Sequence, residues 1–229
     1  MGSQTLGKIL SVNLKRNFLP HFFAALAVAF AVPMINGISS LNEIQSASPL
    51  ERLLSITGII LLTPVFYPEQ NENIRDVIRS KKTDHLSVCA LRVLYSVFFL
   101  AAIYGAFIMI MYFCESAVTM RHFAGGFASA VFLGAIGFFA AGVSGNVIVG
   151  YMAALIYYIA NFAVKKQLGV FYLFSMAASS EGLHKDFWTK YLLMASALLL
   201  IVAAFIWLKS MYSVKPVKGL SKNQNRHLH

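Results

Sequence analysis

Charge is what this sequence has least of. Nine of its 229 residues are acidic and 19 are Lys or Arg, 12% charged in all, against about 25% for an ordinary soluble domain. That scarcity excludes a soluble enzyme as the default. With 58% apolar residues it also excludes a disordered chain, which needs low hydrophobicity and high net charge to stay unfolded. Cysteine is nearly absent too. Cys89 and Cys114 lie 25 residues apart toward opposite ends of one predicted helix, roughly 37 Å at the helical rise. They cannot bridge within that helix, and no metal-ligand spacing surrounds either, so both read as small apolar residues. Paired membrane carboxylates are also missing from the sequence reading, in which Glu115 is the one acid that approaches a span, as an outer-end residue. Ionisable groups in lipid are costly and mark ion pathways, so this shortage argues against a proton-coupled carrier and places the driving energy elsewhere.

What the sequence has instead is long apolar runs, 19 Phe and 10 Tyr, with a mean hydropathy of +0.68. This is the composition of an all-α integral membrane protein. At about 20 residues per crossing, residues 1–229 form one transmembrane domain with six helices near 18–36, 50–67, 88–114, 122–145, 147–164 and 189–208. The second is the weakest, because Thr57, Gly58 and Pro64 interrupt it; it is expected to tilt, kink at the proline, or line other helices instead of lipid. The first run follows a polar stretch and lacks a small-residue cleavage site, so it reads as a retained span.

Lys and Arg set the orientation. With the amino terminus in the cytoplasm, 13 of the 19 fall inside, among them Lys8, Lys15, Arg16, Lys81, Lys82 and the tail cations from Lys209 to Arg226. The outer side holds six: Arg52, Arg121, Lys165, Lys166, Lys185 and Lys190. Both termini are therefore expected in the cytoplasm, with 209–229 as a cytoplasmic tail. The formal charge of +10 belongs to topology and anionic headgroups, not to nucleic acid, since the cations flank apolar segments and form no basic domain. Residues 3–17 place Leu6, Ile9, Leu10 and Leu14 on neighbouring helical positions, with Lys8, Asn13, Lys15 and Arg16 toward the other side. Such a helix lies in the headgroup plane or docks a partner.

Two motifs mislead. Gly2 to Lys8 imitates a phosphate-binding loop, but Ile9 stands where a hydroxyl must reach magnesium and no strand precedes it. Gly142-Val143-Ser144-Gly145 resembles the nucleophile setting of the six-helix rhomboid proteases. A serine needs a base within hydrogen-bond reach, and the later histidines, His184, His227 and His229, lie outside the predicted spans. Ser144 therefore reads as a small polar residue at a helix end.

Two features carry more information. The fourth span repeats small residues at Gly126, Ala130 and Gly134, then Gly137, Ala141 and Gly145. That spacing lets helix backbones approach closely, either within the protomer or against a second subunit. The loop after span two carries Glu72, Asn73, Ile74, Arg75, Asp76, Val77, Ile78 and Arg79. Ile74, Val77 and Ile78 make an i, i+3, i+4 apolar patch ringed by charges of both signs, which suits a protein surface better than a purely topogenic loop.

This layout resembles the membrane subunits of type-2 ABC exporters over essentially the whole chain. The likeness rests on the interfacial helix at 3–17, six spans, the Glu-containing segment 70–82 leading through Ser80-Lys81-Lys82 to Leu91-Arg92, the turn at Ser144-Gly145-Asn146, and the long segment 165–188 before the last span. The resemblance implies a permease homodimer or pseudodimer in a bacterial plasma membrane, bound to two cytosolic ABC ATPase subunits that hold the ATP and magnesium, with no cofactor and no catalysis on this chain. Residues 70–82 would be a cytoplasmic coupling helix in a groove of the ATPase, Ser144, Gly145 and Asn146 a second contact, and 165–188 re-entrant outer helices. Spans one, two and five would line the route with Phe22, Phe23, Phe30, Tyr151, Tyr157, Tyr158 and Asn161, a wall suited to an amphipathic peptide, lipid or hydrophobic drug. The family includes antimicrobial-peptide exporters and bacteriocin-immunity systems. The alternatives are a rhomboid-like intramembrane serine protease and a non-transporting structural membrane protein.

Overall fold

The computed structural model describes residues 17–70, 85–178 and 183–213. The expected interfacial helix, apart from Asn17, lies outside them, as do 71–82 of the expected coupling helix and 214–229 of the tail. Among the described residues there are helices and turns and no strand. Six helices are long and apolar enough to cross a membrane: Leu19–Asn36, Glu43–Pro68, Leu86–Phe113, Met120–Ser144, Val147–Val164 and Trp188–Ser210. The chain is a multi-pass membrane protein.

Spans two and four form the interior, with 72% of each apolar window buried, whereas span one is 11% buried and faces outward. Their contact is made possible by what they lack. A Cβ on Gly58 of span two would lie 2.0 Å from the Ala130 carbonyl oxygen, and one on Gly134 would lie 2.5 Å from the Gly58 oxygen. Lower down the same helix, Gly137 faces Thr63, and Ala141 faces Gly150 of span five. The small residues from Gly126 to Ala141 are therefore spent inside the protomer, which answers the question the sequence left open about that face.

Span two is not one regular helix. It opens with the helix Glu43–Ser48, where Asn42 accepts from the Gln45 amide at 2.8 Å and Gln45 answers the Asn42 amide, a reciprocal capping box. It widens to a π turn at Pro49–Leu53, returns to α-helix at Ile56–Leu62, and tightens to 3-10 geometry from Thr63. Pro64 accounts for the last change, because proline lacks an amide donor and clashes with the preceding turn.

The two ends of the bundle differ. At one end, the connections 37–42 and 114–119 are laced together by Ser40 to the Cys114 carbonyl and Ala117 to the Leu41 carbonyl. Span four starts there, where His122 Nδ1 accepts from the Thr119 amide at 3.0 Å and Nε2 meets the Glu43 carbonyl at 2.7 Å. Accepting at Nδ1 leaves the proton on Nε2 to donate. The same end carries residues 165–178, a 3-10 stretch Lys165–Phe171 followed by turns. We call it the capped end. The other end carries the 144–146 turn. Exposed aromatics mark both levels: Trp188, Tyr191 and Tyr112 near the capped end, Tyr67 and Trp207 near the turn end, the positions favoured at membrane interfaces.

Because backbone, not a flexible side chain, fills the space beside Gly58, Gly58→Val should destabilise the detergent-solubilised protein by at least about 1–3 kcal/mol. Gly105→Ala, inside span three at a position with nothing within 4 Å, should not lower the thermal midpoint, because alanine is the better helix former.

Candidate functional site

The most unusual chemistry lies under the capped end. Residues 172–178 fold inward, so that Leu173, Phe174 and Met176 are buried, yet this backbone is not helical. In a membrane such a segment must find partners for every amide and carbonyl within the protein. Local backbone serves the Tyr172 and Ala178 amides, and four spans supply further partners. From span five, Asn161 Oδ1 accepts from the Leu173 amide at 2.9 Å, and Tyr157 donates to the Phe171 carbonyl at 2.6 Å. From span four, Ser129 lies 3.0 Å from the Leu173 carbonyl. From span two, the Glu51 carboxylate takes the Ala177 amide at 2.9 Å and the Met176 amide at 3.3 Å. From span six, Lys190 Nζ donates to the Leu173 carbonyl at 2.5 Å.

Glu51 and Lys190 also form an ion pair at 2.5 Å, with both side chains almost wholly withdrawn from the surface. The ammonium also donates to Ser129 Oγ at 2.8 Å. A charge withdrawn from water into the protein is expensive, and partnering is the condition of its being there. The π turn that carries Glu51 is served in the same way: Tyr104 of span three donates to the Leu50 carbonyl at 3.0 Å, and Tyr158 of span five to the Arg52 carbonyl at 2.5 Å. Tyr172, in the inward segment, has its phenol pushed above the usual value of 10 by burial; the Arg52 charge pulls against that rise and the Glu51 charge adds to it.

This cluster corrects the sequence reading twice. Glu51, fully buried, is a carboxylate inside a span where the sequence reading had Glu115 alone approaching one; Glu115 is exposed in the connection after span three. Lys190, counted among the outer-side cations, is buried and paired. The available signal was weak: an acid inside the predicted apolar run 50–67, and a lysine at the start of the last run.

The residues expected at functional positions fall into three groups. Glu72, Asn73, Ile74, Arg75, Asp76, Val77, Ile78 and Arg79 lie outside the described residues. Ser144, Gly145 and Asn146 form an exposed turn. Gly145 adopts φ +67°, the left-handed position that glycine fills after a helix. Ser144 Oγ donates to the Ala140 carbonyl at 2.7 Å and Asn146 Oδ1 accepts from the Ile148 amide at 2.8 Å, starting span five. Those partners belong to helix ends, and among the described residues none is a histidine; His227 and His229 lie outside them. Of the expected pathway residues, Tyr157, Tyr158 and Asn161 come together around the inward segment. Tyr151 is half-buried farther along span five. Phe22 packs on Phe18 and Phe99, while Phe23 and Phe30 are exposed on span one; the structure does not bring these three to the tyrosines. Among the described residues no group of His, Cys, Asp or Glu could hold a metal ion.

The fold and the cluster define a six-span helical membrane protein with a polar-stapled inward segment. Compared with protein-family profiles, curated proteins and solved structures, the chain matches none.

Removing one partner of a buried pair strands the other charge, so Lys190→Met should cost about 3–5 kcal/mol. The double variant Glu51→Gln with Lys190→Met, which leaves no unpaired charge, should recover much of that loss. Denaturant unfolding in mixed micelles compares the two; a double variant as damaged as the single would mean that the charge pairing is not what matters.

Proposed function

We propose that this chain is the permease subunit of an ATP-driven type-2 ABC exporter. It sits in a bacterial cell membrane with both termini in the cytoplasm, and moves an amphipathic or hydrophobic substrate, such as an antimicrobial peptide, lipid or drug. The observation that carries the reading is spatial. Span two descends through Phe66, stacked on Phe138 at 4.7 Å and beside Gly142, to the end of the bundle where Ser144, Gly145 and Asn146 turn. Arg92, near the start of span three, donates to the Val65 carbonyl at 3.0 Å at this same end. The loop between spans two and three therefore leaves and re-enters the bundle where the 144–146 turn projects. Two segments expected to touch an ATPase share one end, and the polar-stapled segment closes the other.

In this reading, Glu72 to Arg79 dock on a separate ATPase, present in two copies and holding ATP and magnesium, while a second permease copy or paralogue completes the route. Nucleotide binding closes the ATPase pair and shifts the permease between two states by binding them unequally.

Replacing Glu72, Asp76 and Arg79 together with Ala should abolish substrate export and reduce recovery of the ATPase in a membrane pull-down. Insertion of the permease should be unaffected. Unchanged transport and ATPase recovery would refute the reading. In parallel, a fluorophosphonate probe should leave Ser144 unlabelled; covalent labelling lost in Ser144→Ala would favour a protease instead.

A further inference from the structure

At the turn end, the start of span three and the end of span six diverge. They leave an open groove of about 370 Å³ lined by Leu86, Ser87, Ala90, Val202, Phe205, Ile206 and Lys209. Its walls are almost entirely hydrocarbon. Ala90 contributes a single methyl group opposite Phe205 and Ile206, which gives the groove its width. Lys209, exposed at one end, is the cation among the described residues that line it. Trp207, 47% exposed and two residues before Lys209, places this rim at the interfacial level where indoles collect.

We propose that this groove is a binding site for an acidic phospholipid of the surrounding bilayer. The argument is one of matching parts. An apolar channel opening laterally from a membrane helix pair is filled by an acyl chain, since no water is available at that depth. An ammonium at its interfacial mouth, on a stem that can reach the headgroup layer, selects a headgroup with net negative charge over a zwitterionic one. Two differences separate such a site from diffuse attraction by a chain of formal charge +10. The preference must be stronger at this end of span six, and it must depend on the groove's shape as well as on Lys209.

The protein's two tryptophans make the test direct, because Trp188 and Trp207 lie at opposite ends of span six. Variants Trp188→Phe and Trp207→Phe each leave one reporter. Each is reconstituted in phosphatidylcholine vesicles containing increasing fractions of dibrominated phosphatidylglycerol, or of dibrominated phosphatidylcholine as the reference quencher. At Trp207, quenching should report a preference for phosphatidylglycerol of about fivefold, the effect of one cation near the surface; at Trp188 the ratio should be smaller and should not respond to changes at Lys209 or Ala90. Lys209→Gln should bring the Trp207 ratio to about one, and Ala90→Phe, which fills the groove, should weaken quenching of Trp207 by the acidic lipid. Unchanged Trp188 quenching in both variants verifies that each remains folded and inserted. Equal preference at both tryptophans, or a ratio that survives Lys209→Gln, would overturn the proposal. So would a Trp207 that neither brominated lipid quenches, because protein would then cover the groove.

Discussion

The structure depends on a constraint imposed by lipid: a stretch of non-helical backbone brought inside a helical bundle has no water to satisfy it. Residues 172–178 are such a stretch, and the polar side chains of spans two, four, five and six are placed to answer it. Glu51 accepts from two amides, Asn161 from a third, and Lys190 and Ser129 reach the Leu173 carbonyl. Seen this way, the Glu51–Lys190 ion pair is the centre of a local solvent made of protein. Each ion is tolerated because the other is there, and both are tolerated because the backbone needs them.

The same requirement explains the irregularity of span two. A π turn leaves carbonyls out of the regular helical ladder, and those of Leu50 and Arg52 are met by tyrosine hydroxyls from spans three and five. The turn also presents Glu51 toward the inward segment. Glycine and alanine on span four then let span two lie close enough for this network to form. Close packing in the middle of the bundle and polar stapling at the capped end are thus one arrangement, in which the interior helices hold the segment and the outer helices face lipid.

A bundle built this way has two unlike ends. The turn end is simple, with Ser144, Gly145 and Asn146 closing one helix and opening the next, and with span two ending and span three beginning at the same level. The capped end is stitched by side chains from most of the fold. The proposed exporter would use this polarity, with one end facing a motor and the other closed by the stapled segment.

Membrane class and six crossings were legible in the sequence alone, because apolar run length is a local property that the thickness of hydrocarbon converts directly into helices. The interruption at Pro64 was legible for an equally local reason, and the spacing of small residues from Gly126 to Ala141 announced close packing without saying against what. Glu51 and Lys190 were not legible as a pair: they stand 139 positions apart, and nothing in a linear pattern tells a topogenic lysine from a buried one. Nor could the sequence reveal that Tyr157, Tyr158 and Asn161 would serve backbone carbonyls and amides. Hydrophobic patterning sorts residues between lipid and interior, whereas the pairing of buried polar groups is decided only when the helices meet, since each is stable solely in the presence of its partner.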